Sequence, residues 1–177
     1  IVLMQCNTNY TSSIENFKYI NLNVLKEFKK RYPEVVLGLS DHTPGNSTVL
    51  GAVTLGARVI EKHFTDNITR EGPDHKFSMN FKPWKEMVER TRELENSLGT
   101  TLKKVEENEK ETVVLQRRAI RANKNLYAGD KICEDNIDFL RPCPQDALPP
   151  YCFEEIINKE LVENIQSGDY IKWKSIK

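Results

Sequence analysis

The sequence has no long apolar run, no net charge and no closely spaced cysteines. Its apolar stretches, such as residues 1–6, are far shorter than the roughly 18 residues that span a bilayer, so we expect no membrane segment. Lysine plus arginine and aspartate plus glutamate number 26 each, and this balance excludes a basic protein built to bind nucleic acid. The four cysteines form no CxxC pair, which is typical of reduced thiols in a cytoplasmic protein.

Three apolar runs, at residues 1–6, 35–40 and 57–64, are each followed by a segment with helical periodicity. Such runs are typical of parallel strands, and consecutive strand–helix units build a parallel sheet with right-handed crossovers. The sheet is either an open doubly wound fold or part of a (βα)8 barrel, which three units cannot close. Because the chain starts inside an apolar run, without an initiator methionine or a signal-peptide n-region, we expect the last part of a barrel whose earlier strands are missing.

The helical segments carry recognisable boundaries. Apolar residues between Ile14 and Phe28 predict one helix, which Ser12 or Ser13 caps and Pro33 stops. Residues 46–57 predict a short helix of small residues, and residues 82–99 predict an amphipathic helix with a glycine at its end.

The composition changes after residue 99. Residues 100–116 are highly charged and predict a partly helical linker. From residue 117 to 177, short β-prone runs alternate with turn signals, and the segments LYAGDKI (126–132) and IQSGDYI (165–171) repeat one pattern at a displacement of 39 residues. We therefore predict an α/β domain over 1–99 and a small, mostly β domain of two related halves over 117–177.

Two of the three histidines, His42 and His63, lie where the second and third apolar runs end. In parallel α/β sheets, catalytic and ligand-binding residues lie at the carboxyl ends of the strands. Either both are hydrogen-bonded, partly buried imidazoles, or they converge on one metal and leave several coordination positions open. Glu61 lies two residues before His63 and so points to the same face, either as a base beside the metal or in an interior ion pair.

Two loops carry further candidates. Asp74, in the segment GPDHKFSMN, is either a turn former or a substrate contact, and we expect the neighbouring His75 to be solvated. Arg141 is framed by prolines in FLRPCPQDALPPY (139–151), and is either a surface residue or a preordered donor to a carbonyl or carboxylate.

These motifs, in this order, resemble the sialic-acid (N-acetylneuraminate) synthase family, which includes legionaminate and pseudaminate synthases. The resemblance covers nearly the whole chain and rests on GLSDHT, GAVTLGARVIEKHFTD, GPDHKFSMN and RRAIRANKNLYAGDKICEDNIDFLRP. It implies an α/β fold in which these three strands are the sixth to eighth of a (βα)8 TIM-type barrel, followed by an antifreeze-like (SAF, β-clip) domain. It also implies a metal-assisted condensation of phosphoenolpyruvate with an N-acylated mannosamine-type sugar, with release of phosphate.

The resemblance assigns roles to the residues that match the family motifs. His42 and His63 would hold a divalent metal, Mn²⁺ or Mg²⁺. Glu61 would assist with water or proton transfer, Ser40 would contact the phosphate, and Asp74 would bind sugar hydroxyls. Most of the phosphate site would lie upstream, so we expect these 177 residues alone to be inactive.

The remaining implied contacts come from the first strand and the last domain. Arg141 of the partner subunit would meet the N-acyl group, which implies a domain-swapped homodimer. The family commonly reads Cys-Thr-x-x-Tyr-Pro where this chain reads CNTNYT, so Tyr10 matches the tyrosine and Thr8 stands where an asparagine usually contacts phosphate. Cys143 replaces a frequent glycine after Arg-Pro. The alternative function is a non-catalytic carbohydrate- or partner-binding module that retains the SAF domain.

Overall fold

The computed structural model describes residues 1–177, which form two compact units, Ile1–Thr101 and Leu102–Lys177. The division places the charged segment 102–116 in the second unit. None of the helices combines the length and the apolar character that a membrane span requires.

The first unit alternates strands and helices, as the sequence predicts. Its strands are β1 (Val2–Cys6), β2 (Val36–Asp41) and β3 (Val59–Lys62), and its α-helices are α1 (Val24–Arg31), α2 (Ser47–Thr54) and α3 (Phe81–Leu98). The strands form one parallel sheet in the order β1-β2-β3. The predicted parallel α/β arrangement is therefore confirmed for these three strands.

The two faces of this sheet differ. Leu37 and Leu39 point toward the helices and belong to a core that includes Leu25 of α1, Val49 of α2 and Met87 of α3. The opposite face begins with three valines that stay 37–45% exposed, namely Val2, Val36 and Val59. Along each strand the side chains alternate between these faces, so the polar residues that follow these valines at even spacing share the open face.

The helix predicted after the first strand is two shorter pieces. A 3-10 helix covers Ile14–Tyr19, and Ser13 accepts a hydrogen bond from the Glu15 N–H at its start, at 3.3 Å. The chain then breaks at Asn21, whose φ of 52° is left-handed, before α1 begins. Asparagine tolerates this conformation better than most residues, so the break interrupts an apolar pattern that is otherwise continuous.

The second unit contains α4 (Lys110–Gln116), the antiparallel pair β4 (Ala119–Ala122) and β5 (Ile137–Leu140), and α5 (Phe153–Ile156). The end of the segment predicted as a partly helical linker, residues 110–116, thus forms α4. A separate apolar cluster fills the unit, with fully buried members Ile120, Ile132, Ile156, Leu161 and Ile171.

The repeated segments of the second unit pair with each other. Leu126 and Ile165 exchange both backbone hydrogen bonds at 2.9 Å. The side chain of Asn164 accepts from the Ala128 N–H, and 39 residues away the side chain of Asn125 accepts from the Ser167 N–H, both at 2.9 Å. The glycines of the two Gly-Asp turns have φ values of 93° and 90°. The two halves are therefore related by an approximate twofold exchange of contacts.

Candidate active site

Polar side chains form a row across the open face of the sheet, near the carboxyl ends of its strands. Cys6, Ser40 and Glu61 are register partners on β1, β2 and β3. The Ser40 hydroxyl donates to Glu61 Oε1 at 2.9 Å. His42 and His63 lie two residues further along, so the structure brings the serine, the carboxylate and both imidazoles to the same edge.

The two imidazoles face each other, with ring centroids 5.2 Å apart. His42 is 3% exposed, and its Nδ1 lies 3.0 Å from the Asn7 carbonyl oxygen. Because a carbonyl can only accept, Nδ1 carries the proton, and the neutral form of this ring has its lone pair on Nε2. His63 Nδ1 lies 3.7 Å from Asp74 Oδ2, so a carboxylate faces the corresponding atom of the second ring.

Aromatic rings enclose the histidine pair. The Tyr10 ring lies 4.2 Å from the His42 ring and 5.7 Å from the His63 ring. The buried Phe77 ring meets the His63 ring edge-on at 4.9 Å. Tyr10 is 55% exposed, so one side of the histidine pair is bordered by an accessible aromatic surface.

The histidine pair fits a metal that takes two ligands from the protein. A neutral His42 ring with a free Nε2 is the form that coordinates a divalent ion, and a partner on Nδ1 orients such a ligand. No cluster of three or more His, Cys, Asp or Glu side chains surrounds a common point. The pair would therefore leave most coordination positions to water or substrate, as an open catalytic site does.

Behind the histidines lies a buried ion pair to which the sequence analysis assigned no role. Lys62 Nζ lies 2.6 Å from Asp41 Oδ2, and the two side chains are 1% and 0% exposed. Thr43 and Thr48 donate hydroxyl hydrogen bonds to the same carboxylate. The period of two in each strand was the available signal, since it places both charges on the covered face, opposite Ser40 and Glu61.

The loop after β3 is held against the site rather than free in solvent. His75, which we expected to be solvated, is half-buried, and its Nδ1 forms a 2.8 Å hydrogen bond with the hydroxyl of the buried Thr65. Met79 N–H donates to the His63 carbonyl at 2.9 Å, which closes the loop onto the strand end. These two contacts place Asp74 beside His63.

The other predicted site residues occupy different surroundings. Thr8 is exposed and its side chain forms no hydrogen bond. Arg141 belongs to the second unit, where its exposed guanidinium makes no hydrogen bond or ion pair. Its loop is anchored nearby, because Arg121 donates to the Pro142 carbonyl at 2.8 Å and Cys143 N–H donates to the Val114 carbonyl at 2.9 Å.

Comparison with known proteins gives two family matches. The NeuB family model matches residues 1–103, and the SAF domain model matches residues 117–177. The chain is 34% identical over 172 residues to the pseudaminic acid synthase of Campylobacter jejuni, an alignment that covers 97% of this chain and 48% of that protein. It is 33% identical over 176 residues to the N,N'-diacetyllegionaminic acid synthase of Legionella pneumophila, covering 99% and 48%.

The fold of the chain is also similar to that of a solved structure. The N-acetylneuraminic acid synthetase of Leptospira borgpetersenii superposes with a TM-score of 0.53 at 30% identity, over 63% of this chain and 38% of that chain. The chain spans about half the length of the curated relatives it matches.

Proposed function

The chain belongs to the NeuB family and carries a SAF domain after its NeuB segment, and on this premise we propose that it supplies the metal- and sugar-binding side of a nonulosonic acid synthase. The reaction joins C3 of phosphoenolpyruvate to the aldehyde carbon of an open-chain, N-acylated mannosamine-type sugar. Water adds at C2 of the phosphoenolpyruvate moiety, and phosphate leaves by cleavage of its C–O bond. The products are a 2-keto sugar acid and inorganic phosphate.

The observation that carries this proposal is the histidine pair with one imidazole already oriented. Nε2 of His42 and a nitrogen of His63 would hold Mn²⁺ or Mg²⁺, whose choice these ligands leave open. A divalent ion bound there supplies Lewis-acid polarisation of the sugar aldehyde. Asp74, whose side chain is 58% exposed, is accessible to sugar hydroxyls while it also faces His63. Tyr10 offers an apolar wall to the same substrate.

Ser40 and Glu61 would couple phosphate binding to water activation. The Ser40 hydroxyl has one proton, which it donates to Glu61. A phosphate oxygen that accepts this proton would leave the Glu61 carboxylate free to accept a hydrogen bond from the attacking water. Glu61 would then act as the general base for addition of water at C2.

The open face of the sheet supports the proposal that these 177 residues do not turn over by themselves. Val2, Val36 and Val59 remain substantially exposed below the polar row. A condensation that must exclude bulk water needs this face covered and a phosphate site completed. The implied domain-swapped dimer, the contact of Arg141 with an N-acyl group and the cytoplasmic location remain predictions.

The non-catalytic binding module is the weaker proposal. A module that only binds sugar would need neither a buried, tautomer-fixed imidazole nor a carboxylate bonded to a neighbouring serine. Both features support the catalytic proposal over the binding one.

Binding of Mn²⁺ by the 177-residue chain tests the histidine assignment. The electron paramagnetic resonance signal of free Mn²⁺ decreases when the ion binds to the protein. We expect no such decrease with His42→Ala or His63→Ala, because each variant lacks one proposed ligand. His75→Gln, the matched histidine control, should decrease the signal as the unmodified chain does. Unchanged Mn²⁺ binding in both alanine variants would contradict the proposal. Phosphate release from phosphoenolpyruvate and N-acetylmannosamine by the 177-residue chain with Mn²⁺ would contradict the proposed inactivity.

A further inference from the structure

We propose that the buried Asp41–Lys62 pair is the positioning element that sets the separation of His42 and His63. The proposal rests on the proposed function, since it assumes that these histidines bind a metal. Neither charged side chain reaches the metal position, because both lie on the face of the sheet opposite the imidazoles.

The pair sits where the ladder between two strands ends. Asp41 and Lys62 are register partners, and each is the last residue of its strand. The two histidines are the next residues along, so no further β2–β3 ladder pairing holds them at a fixed distance. Apart from the backbone hydrogen bond from Met79 N–H to the His63 carbonyl, the contacts that relate one strand end to the other are made by side chains.

Lys62 contacts the residues on both sides of His42. Its ammonium donates to Asp41 Oδ2 and to the Thr43 carbonyl oxygen, each at 2.6 Å. Asp41 Oδ1 in turn accepts from the Thr43 N–H at 3.0 Å. The residue directly before His63 therefore fixes the residues directly before and after His42.

Helix α2 secures the same carboxylate from outside the sheet. The Thr48 hydroxyl donates to Asp41 Oδ2 at 2.5 Å, and the Thr43 hydroxyl donates to Oδ1 at 2.8 Å. Ordered donors from the neighbouring strand, the following turn and the helix thus converge on one side chain. A carboxylate held in this way has little freedom to move.

Stability alone does not account for this arrangement. Replacing a buried ion pair by neutral groups of similar shape is often neutral or stabilising, since desolvation offsets the attraction. What the charged pair provides is one defined geometry between two strand ends, which a metal held by only two protein ligands requires. Supporting groups behind metal ligands commonly change affinity by about 10- to 100-fold when they are removed.

The double variant Asp41→Asn/Lys62→Met tests the proposal in the 177-residue chain. Asparagine keeps the acceptor for Thr43 N–H, and methionine keeps the length of the lysine stem. The hydrogen bonds from the Lys62 ammonium are therefore lost without a buried charge being left behind. We expect the dissociation constant for Mn²⁺, from the free-Mn²⁺ resonance signal, to rise by about 10-fold or more. Thermal unfolding without metal is measured in parallel.

Leu25→Ala is the matched control, because Leu25 is fully buried in the same core but belongs to α1. We expect it to lower the unfolding temperature at least as much as the double variant while leaving Mn²⁺ affinity within about twofold. If affinity simply follows stability in both variants, or if the double variant binds Mn²⁺ as the unmodified chain does, the proposal is overturned.

Thr48→Val and the two histidine variants keep the outcomes separable. If the double variant does not fold, Thr48→Val decides, since it removes only the hydroxyl from α2; unchanged affinity overturns the proposal and a loss of about threefold or more supports it. If His42→Ala and His63→Ala retain Mn²⁺ binding, the proposed function itself fails. If they lose binding while Asp41→Asn/Lys62→Met and Thr48→Val keep it, only the positioning role fails.

Discussion

Gly38 is the position where the sheet tolerates the least added volume. It lies in the centre of β2, between Met4 and Val59. A Cβ added there would lie 2.9 Å from Met4 Cγ and 2.9 Å from the Val59 carbonyl oxygen. The methionine side chain can move, but the carbonyl is part of the β2–β3 backbone, so Gly38→Ala must push these strands apart.

The expected cost follows from two opposing effects. Overpacking a well-filled site costs about 1–3 kcal/mol. Replacing glycine by alanine also restricts the unfolded chain, which offsets about 0.4–1 kcal/mol. The net loss of unfolding free energy is about 1–2 kcal/mol, and at about 4–8 °C per kcal/mol for a domain of this size the unfolding temperature falls by roughly 4–16 °C.

Differential scanning calorimetry of the 177-residue chain measures this shift, with Gly51→Ala as the control. A Cβ at Gly51 would approach only Leu22 Cδ1, the end of a flexible side chain, at 2.8 Å. Alanine within a helix also gains about 1 kcal/mol over glycine, so this variant should be neutral or slightly more stable. Equal losses in the two variants, or no loss in Gly38→Ala, would refute the steric argument.

Three further predictions concern other parts of the chain. Asn125→Ala and Asn164→Ala should each lower the unfolding free energy by about 1 kcal/mol in urea denaturation, because each loses one equivalent hydrogen bond; strongly unequal losses would argue against the twofold relation. Burial raises the pKa of the Cys152 thiol, so iodoacetamide at neutral pH should label the exposed Cys6 first by mass spectrometry, and the reverse order would contradict this. In an active, family-length enzyme, Ser40→Ala should raise the KM for phosphoenolpyruvate about tenfold, and an equal rise for the sugar would count against a phosphate contact.

The open-face residues of the candidate site were predictable because they depend on local periodicity. Ser40, His42, Glu61 and His63 follow apolar runs at even spacing, so alternation along a strand places them on one face at one level. Nothing about the neighbouring strand needs to be known except that it runs parallel. The prediction that these side chains lie close together therefore required only the strand positions.

The features that the sequence did not reveal depend on contacts between distant residues. Asp41 and Lys62 form a pair only in the observed register, and a one-residue shift would separate them. His75 finds its partner Thr65 only when the intervening loop closes. The helix break at Asn21 depends on a backbone conformation that apolar periodicity does not encode. Register, loop closure and single dihedral angles are tertiary properties, so one sequence does not determine them by inspection.

The alternation of side chains also gives the two faces of β2 and β3 different tasks. Ser40 and His42 lie on the open face of β2 and its continuation. The alternate residues Leu39 and Asp41 lie on the covered face, where they contact the helices. Under the proposed positioning role, a change on the covered face shifts His42 without contacting it. This arrangement explains why a buried charge pair occurs at the last ladder position and apolar pairs occur earlier. Apolar contacts position a strand through non-directional packing, whereas short hydrogen bonds from Lys62 reach the Asp41 carboxylate and the Thr43 carbonyl oxygen, on either side of His42.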